Sequence, residues 1–216
     1  MKGRGLFITL EGGEGVGKST NLAFLETTLQ AHGIRLDVTR EPGGTPLAES
    51  LRELLLAVRE EDVAASAELL MIFAARAQHL HQRIEPALAS GTWVLCDRFT
   101  DATYAYQCGG RGLDSEIVAQ LEQLVQGELR PDCTILLDAP VETGLDRARG
   151  RGDLDRIEQE NLAFFERVRS TYLALASESS GRYRVVDAAR PLEDIQSELS
   201  DICSDLVECW EVRTDS

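Results

Sequence analysis

The residues whose types and spacing point most directly to a chemistry form the segment Gly12-Gly-Glu-Gly-Val-Gly-Lys-Ser19. Its spacing, G-x-x-x-x-G-K-[ST], is typical of loops that join a strand to a helix and hold phosphate groups. Glycines let backbone N–H groups face phosphate oxygens, and the amino terminus of the following helix adds partial positive charge. Lys18 would reach the outer phosphates, and Ser19 would offer its hydroxyl to Mg²⁺. The predicted nucleoside triphosphate site comprises Gly12, Gly13, Glu14, Gly15, Val16, Gly17, Lys18, Ser19 and Thr20.

The alternative for this segment is a glycine-rich turn that binds nothing. An apolar run, Gly5-Leu-Phe-Ile-Thr-Leu10, precedes the segment, and a helical pattern with Leu22, Leu25 and Leu29 follows it. The motif needs this strand, loop and helix context. We therefore favour phosphate binding.

Charged residues also end the second and third predicted strands, in Arg40-Glu-Pro-Gly-Gly-Thr45 and Asp97-Arg98. Parallel strands end at the same edge of a sheet, where ligands collect. Asp97 predicts a contact to Mg²⁺ or its waters, with a helix N-cap as the alternative. Arg98 has the planar fork that binds a phosphate through two hydrogen bonds.

A third cationic segment, Arg147-Ala-Arg-Gly-Arg-Gly-Asp153, combines charge and glycine with little apolar content. The composition predicts an exposed, mobile loop, and its arginines would ordinarily be only a solvated surface. Phosphoryl transfer favours a different interpretation, because cationic side chains that close over the transferred group are a recurring catalytic feature. The variable positions of the phosphate loop contain no lysine or arginine, so this charge must come from elsewhere.

The helix around Glu68-Leu-Leu-Met-Ile-Phe-Ala-Ala-Arg76 has mostly core spacing. Arg76 lies one turn from Ile72 and Phe73, so it is predicted to be either a structural ion-pair member or a donor to a base. His79 and His81 have poor spacing for a metal, and we interpret them as surface or helix-packing residues.

Strands and helices alternate along the whole chain. We predict strands at residues 5–11, 34–39, 92–97, 132–138 and 183–187 and helices at 18–32, 46–57, 65–89, 99–107, 114–126, 141–150, 157–178 and 191–211. This alternation predicts an α/β fold with right-handed crossovers and a parallel sheet. The expected architecture is a three-layer P-loop fold, in which helices flank a five-stranded parallel sheet, with a mobile, arginine-rich lid. We predict one domain over residues 1–216.

Composition narrows the class of function. The chain has 216 residues and a net charge of −15, which disfavours non-specific nucleic-acid binding. No apolar run approaches the roughly 20 residues that cross a bilayer, and the start of the chain leaves no room for a signal peptide. The five scattered cysteines form no C-x-x-C pair, as expected of reduced thiols in the cytoplasm.

Together these motifs resemble those of the bacterial thymidylate kinases. The resemblance rests on the phosphate loop, Thr39-Arg-Glu-Pro-Gly-Gly-Thr45, Asp97-Arg98-Phe99, Tyr104-Ala-Tyr-Gln107 and Arg151-Gly-Asp-Leu-Asp-Arg156, and it runs nearly end to end. It implies transfer of the γ-phosphoryl group of ATP to dTMP with Mg²⁺, a cytoplasmic homodimer, and a lid at about residues 144–156.

The resemblance also implies roles for the charged residues. Arg98 would hold the dTMP phosphate, and Arg52 would reach the same group. Asp97 would help organise Mg²⁺ with Ser19, and Glu41 would lie near the metal and the acceptor phosphate. The implied catalytic set is Lys18, Glu41, Arg98, Arg149 and Arg151, the last two in the lid over ATP.

For the nucleoside, the resemblance implies that Glu14 meets the deoxyribose 3′-hydroxyl and that Tyr106 crowds the 2′ position. Arg76 would donate to the thymine O4, while Thr103 and Gln107 would meet the base edge. The family often has a stacking aromatic residue four positions before this arginine. That position is Ile72 here, and Phe73 is the aromatic alternative. Arg190 is a candidate adenine contact by position only.

Two other functions compete with this one. The nearer is another P-loop kinase of a small metabolite, such as a deoxynucleoside or coenzyme-precursor kinase, which a panel of acceptors would distinguish. The other is a nucleotide-switch module such as a GTPase. The sequence lacks the N-K-x-D tetrapeptide that binds guanine, which disfavours the switch.

Overall fold

The computed structural model describes residues 3–150, 155–179 and 181–214. Five parallel strands form one sheet in the order β2-β3-β1-β4-β5. The strands are β1 Phe7–Gly12, β2 Leu36–Arg40, β3 Trp93–Asp97, β4 Cys133–Asp138 and β5 Tyr183–Asp187. The predicted α/β fold with a five-stranded parallel sheet is confirmed.

Helices connect the strands on both faces of the sheet. They are α1 Lys18–Ala31, α2 Pro46–Leu56, α3 Ala65–His79, α4 Glu85–Ala89, α5 Thr100–Thr103, α6 Ser115–Gln126, α7 Val141–Arg149, α8 Leu162–Glu178 and α9 Leu192–Thr214. A π-helical segment, Leu80–Ile84, joins α3 to α4, and a second one, Tyr104–Gly110, continues α5.

Side chains that alternate along the central strands build the two layers of core. In β1, Ile8 and Leu10 pack into the cluster beneath α1 and α9, whereas Phe7 packs with the π-helical segment and α4 on the opposite face. In β3, Trp93 packs into the cluster beneath α1 and α9, and Val94 packs into the cluster on the opposite face. Successive side chains of a strand point to opposite faces, so a strand covered on both faces is mostly apolar.

Strand register aligns the carboxyl ends that the site needs. Asp97 pairs with Leu10 of β1 on one side and with Arg40 of β2 on the other. The backbone N–H of Glu41 donates to the carbonyl oxygen of Asp97 at 2.9 Å, and that of Arg98 donates to Leu10 at 3.0 Å. The segments that follow β1, β2 and β3 are therefore held side by side.

The helix predicted at 157–178 begins later, at Leu162. The carboxylate of Asp155 accepts the backbone N–H groups of Ile157 and Glu158 at 2.8 and 2.9 Å and holds a turn there. Asn161 caps α8 by accepting the N–H of Phe164 at 2.9 Å. Short polar side chains that accept hydrogen bonds from nearby backbone N–H groups compete with helix formation. The spacing of apolar residues in the sequence does not show this competition.

Within the residues described, no helix is long and apolar enough to cross a membrane.

Candidate functional site

A cavity opens at the carboxyl edge of the sheet, between the phosphate loop, the start of α2 and the middle of α3. Most of the residues predicted from the sequence line it: Glu14, Gly15, Gly17, Lys18, Ser19, Glu41, Arg52, Arg76, Asp97, Arg98, Thr103, Tyr106 and Gln107. Ile72, Phe99 and Leu55 supply apolar wall. Asp155, Ile157 and Glu158 complete the wall, so the fold brings together residues from positions 14 to 158 in one concave site.

The phosphate loop wraps around the start of α1. Lys18 Nζ donates to the carbonyl oxygens of Gly12 and Gly13 at 3.1 and 2.6 Å, which holds the ammonium at the mouth of the loop. Gly15 has φ 68°, and a Cβ there would lie 1.8 Å from the carbonyl oxygen of Gly144 in α7. Only glycine suits both the backbone angle and this close approach.

The remaining loop residues divide between core and solvent. The side chain of Val16 is buried in the core beneath α1, so only its backbone faces a ligand. Ser19 and Thr20 are exposed on the first turn of α1. Of the loop's larger side chains, those of Glu14, Lys18 and Ser19 belong to residues that line the cavity.

Arg98 is held at the centre of the site by a network rather than by one partner. Its Nη2 donates to Glu14 Oε1 at 2.7 Å, and its Nη1 donates to the carbonyl oxygen of Gly12 at 3.0 Å. Tyr106 donates its hydroxyl to the same Glu14 oxygen at 2.7 Å, and the Arg98 guanidinium lies 4.7 Å from the centre of the Tyr106 ring. The guanidinium is thus oriented beside the phosphate loop.

Arg98 is also the non-glycine residue with a positive φ, 68°, in the part of the chain the structure describes. Glu11, behind it, accepts the backbone N–H of Phe99 at 2.7 Å and the hydroxyl of Tyr172 at 2.8 Å. That hydroxyl lies 3.3 Å from Arg98 Nη1. Burial, with the nearby charge of Asp101, raises the pKa of Glu11 to about 8. Glu11 lies within an apolar strand, and no motif in the sequence marks it as part of the site.

Glu41 forms the second charged centre. Arg76 Nε donates to its Oε2 at 2.7 Å, and His79 Nδ1 lies 3.1 Å from its Oε1. Both the arginine and the carboxylate are almost fully buried, with 1% and 4% of each side chain exposed. Burial alone would raise the pKa of Glu41, but Arg76 and His79 outweigh it and lower that pKa. Glu41 is therefore an ionised acceptor.

Arg76 is an ion-pair member, which is one of the two roles that its position in the sequence left open. It pairs with Glu41, and its Nη2 donates to Thr103 Oγ1 at 2.9 Å. Its Nη1 is buried and has no hydrogen-bond partner among the described residues. The guanidinium lies between the rings of Phe73 and Phe99, at 4.8 and 4.9 Å from their centres. A buried donor on a cavity wall is a strong ligand-binding feature, because leaving it unpaired is costly.

Of the two alternatives on α3, Ile72 lines the cavity and Phe73 does not. Phe73 is buried against Leu69 of the same helix and Val118 of α6, and Ile72 lines the cavity instead. Ile72 and Phe73 both lie on the inner side of α3, and the spacing of apolar residues in the sequence does not say which of the two faces the cavity. The packing of α6 against α3 decides this.

His79, in α3, is a buried packing residue and not a surface residue. It is fully buried, and its Nε2 lies 2.7 Å from Thr39 Oγ1 while Nδ1 faces Glu41. A Cβ on Gly44 would lie 2.3 Å from His79 Nε2, so the loop after β2 packs directly on the imidazole. His79 supports the loop that carries Glu41.

Asp97 and Ser19 face the same cavity beside the phosphate loop. Asp97 Oδ1 is buried and accepts no hydrogen bond within the described residues, and the helix that follows is not capped by this side chain. An unpaired buried carboxylate oxygen in a cavity that a serine also lines suits a hard cation such as Mg²⁺, which keeps few protein ligands.

Arg190 does not line this cavity, and two other predicted side chains cannot be placed from the described residues. The side chain of Arg149, at the end of α7, and the whole of Arg151 lie outside the described residues. Arg190 follows β5, where its Nε donates to the carbonyl oxygen of Asp187 at 3.2 Å and its Nη2 pairs with Glu198. Arg52, by contrast, lines the cavity, and its Nη1 donates to the carbonyl oxygen of Pro42 at 3.0 Å.

Comparison with known proteins gives one consistent result. A family model described as thymidylate kinase matches residues 10–199. The chain is 61% identical to the thymidylate kinase of Pseudomonas savastanoi pv. phaseolicola over 94% of this chain and 97% of that protein. It is 63% identical to that of Teredinibacter turnerae, over 90% and 95%. The crystal structure of thymidylate kinase from Ehrlichia chaffeensis matches with a TM-score of 0.73 and 31% identity, over 92% of this chain and 98% of that one. On its motifs, its fold and these relatives, the chain belongs to the thymidylate kinase family.

Proposed function

We propose that this chain transfers the γ-phosphoryl group of ATP to dTMP, giving dTDP and ADP. Family membership supports the reaction, and one observation in the site carries the choice of acceptor. Arg76 lines the same cavity as the phosphate loop, and its Nη1 has no hydrogen-bond partner among the described residues, so the cavity offers donors for both a phosphate and a base carbonyl.

The residues act by alignment and charge. Phosphoryl transfer passes through a loose transition state, which needs positioned reactants and neutralised charge rather than a covalent intermediate. Lys18 binds the outer phosphates of the donor. Arg98 and Arg52 bind the phosphate of the acceptor, with Glu41 beside it. Glu14 orients Arg98 and accepts the 3′-hydroxyl of the sugar.

The base edge is recognised by donors and acceptors around Arg76. Its Nη1 donates to O4 of thymine, and Thr103 holds the guanidinium in place. Gln107 meets the base beside it, Ile72 covers its face, and the ring of Tyr106 excludes a 2′-hydroxyl. These assignments rest on which side chains line the cavity and on which hydrogen-bonding groups they still offer.

We include Mg²⁺ as a cofactor, held by Ser19 and Asp97. A bound cation would neutralise charge between the donor phosphates. The unpaired Oδ1 of Asp97 supports this assignment.

The remaining residue assignments concern ATP, the phosphoryl donor. Arg149 and Arg151, in a lid at about residues 144–156, would cover ATP and supply charge that the phosphate loop lacks. Arg190 is the proposed adenine contact.

We treat residues 1–216 as one kinase domain. The proposed location is the cytoplasm, because ATP and nucleoside monophosphates are found there.

We also propose a homodimer. Large apolar side chains are exposed on neighbouring helices, with Leu47 and Leu54 on α2, Leu70 on α3, and Ile117 and Leu124 on α6. Leu124 is 80% exposed. A contiguous apolar face marks a protein interface more often than a free surface. Sedimentation velocity should give one species of about twice the monomer mass, and a purely monomeric protein would contradict the dimer.

Lys18 should give the reaction an alkaline limit. Burial, and then the charge of Arg98, lower the pKa of Lys18 to about 8. Above that pH the free enzyme loses the ammonium that binds ATP, so kcat/KM for ATP should fall about tenfold per pH unit. The turnover number at saturating ATP should fall less, because bound phosphates favour the charged lysine.

A Lys18→Arg variant is the matched control for this limit. Its guanidinium stays charged throughout the accessible pH range, so the alkaline fall should disappear whatever the absolute rate. A wild-type profile of kcat/KM for ATP that stays flat to about pH 10 would contradict the assignment.

The experiment that tests the function is transfer from ATP and Mg²⁺ to a panel of acceptors, followed by product mass. We expect rapid formation of dTDP, slower reaction of dUMP, and almost none with CMP, AMP or GMP. Transfer to some other acceptor but not to dTMP would keep the phosphate chemistry and discard the base contacts.

A further inference from the structure

A buried carboxylate on α3 has no role in the transfer proposed above. Glu68 is 1% exposed, yet it receives hydrogen bonds from three side chains at different points of the chain. Gln107 Nε2 donates to its Oε1 at 2.9 Å, Arg111 Nε donates to Oε1 at 3.2 Å, and Arg156 Nη2 donates to Oε2 at 2.5 Å. One of these donors, Gln107, belongs to the cavity wall.

Glu68 is ionised in this environment. Burial alone would raise its pKa, but hydrogen bonds from Arg111, Gln107 and Arg156 outweigh burial and lower that pKa. An ionised carboxylate can only accept hydrogen bonds. Every group that faces Glu68 must therefore be a donor.

This requirement fixes the amide of Gln107. A glutamine side chain has one donor end and one acceptor end, and a turn of about 180° about its last torsion exchanges them. With the NH₂ group on Glu68, the end that the amide can offer elsewhere is its carbonyl oxygen, Oε1. No hydrogen bond to Oε1 occurs within the described residues, and Gln107 lines the cavity.

We propose that Glu68 is a positioning residue for base selection: by holding the NH₂ group of Gln107, it presents Oε1 to the cavity as a fixed acceptor. A fixed acceptor pairs with a base that has N–H at ring position 3, as thymine and uracil do. The N3 of cytosine carries no proton, so its lone pair would face the lone pair of Oε1 and the two would repel each other. This inference rests on the proposed function, since it concerns how the acceptor site of that reaction selects its base.

The two arginines explain why the carboxylate stays in place. Arg156 also donates from Nε to the carbonyl oxygen of Leu55 at 2.9 Å, and its backbone N–H donates to Leu56 at 3.2 Å. Arg111 also pairs with Glu160. Both guanidinium groups are thus anchored on two sides, and together they fix the carboxylate that orients Gln107.

The test compares dTMP with 5-methyl-dCMP, two acceptors that differ only in the 4-substituent and the proton on N3. Glu68→Gln keeps the shape of the side chain but adds a donor end, so it accommodates Gln107 in either orientation. We expect the ratio of kcat/KM for dTMP to that for 5-methyl-dCMP to fall about tenfold in this variant. A general loss of structure would lower both rates and leave the ratio unchanged.

Glu160→Gln is the matched control. It makes the same chemical change in the same cluster, at a residue that contacts Arg111 and not Gln107. Its selectivity ratio should equal that of the wild type, because the amide oxygen of this variant still accepts a hydrogen bond from Arg111 and so keeps that guanidinium in place. In a Gln107→Ala background, Glu68→Gln should no longer change the ratio, because the residue through which it acts is gone.

An unchanged ratio in Glu68→Gln, with active wild-type enzyme, would overturn the inference and leave the proposed function standing. Wild-type enzyme that does not phosphorylate dTMP would instead overturn the proposed function. A variant that fails to fold would show as loss of the unfolding transition.

A measurement on the wild-type protein tests the inference even if the Glu68→Gln variant does not fold. The side-chain NH₂ resonances of Gln107, assigned by their absence in Gln107→Ala, should exchange slowly with solvent without ligand and stay slow with dTMP bound. Rapid exchange in the unliganded protein would overturn the proposal.

Discussion

Replacing Arg98 with alanine should lower kcat for transfer to dTMP by about a hundredfold to a thousandfold. The guanidinium lies between the phosphate loop and the end of β3, where it can bind the acceptor phosphate and meet charge as it develops. It is already oriented by Glu14 and by the carbonyl oxygen of Gly12, so little reorganisation is needed during the reaction. In the proposed mechanism, its loss removes an interaction that is strongest in the transition state.

Two further variants separate charge from geometry at this position. Arg98→Lys keeps the charge but loses the fork, so its kcat should lie between those of wild type and Arg98→Ala. Arg98→Gly tolerates the φ of 68° without strain, so it should match Arg98→Ala in kcat while unfolding at higher temperature. Turnover of Arg98→Ala near the wild-type value at saturating dTMP would contradict the assignment.

Replacing Arg76 with methionine should lower the free energy of unfolding by about 3–5 kcal/mol. The change removes the partner of a carboxylate that is only 4% exposed, and His79 alone remains beside it. Breaking one side of a buried ion pair leaves an uncompensated charge, which is far more damaging than losing a surface contact. Chemical denaturation at neutral pH measures the loss.

The pH dependence of this loss has a definite sign. In the wild type, Arg76 and His79 outweigh burial and lower the pKa of Glu41, so this stabilisation is present at neutral pH and is lost as the pH falls through that pKa. Without Arg76, burial dominates, and the pKa of Glu41 should rise above its value in the unfolded chain. The variant should then lose stability as the pH rises, and its deficit relative to wild type should be smaller at about pH 5 than at about pH 8.

A double variant provides the control. Adding Glu41→Gln to Arg76→Met removes the unpaired charge, so part of the lost stability should return even though transfer to dTMP does not. A deficit below about 1 kcal/mol for Arg76→Met alone would contradict the importance of this ion pair.

The elements that position the site were predictable because their signals are local. Strand limits agree within two residues, from the predicted 5–11 against Phe7–Gly12 to the predicted 183–187 against Tyr183–Asp187. Short apolar runs, glycine positions and helix periodicity each depend on residues a few positions apart. The phosphate loop motif is local in the same sense, since its function follows from a strand, a turn and a helix in sequence. The family, too, followed from such motifs.

Polar residues inside helices and strands were harder to interpret. Glu11 lies in an apolar strand and Glu68 at the start of a core helix, with no neighbour in the sequence that explains a buried carboxylate. His79 was interpreted as a surface or packing residue and is a buried contact of Glu41. The choice between Ile72 and Phe73 depended on how α6 packs against α3.

By itself, the sequence determined the parallel α/β fold, the phosphate loop and the family, because each is encoded in patterns among chain neighbours. Only the tertiary structure decided which charges meet: Glu41 and Arg76 are 35 positions apart, and Glu68 and Arg156 are 88 apart. Burial removes such groups from water, so each must find a donor or acceptor wherever the fold brings one. That choice depends on the packing of whole elements, which no local pattern specifies.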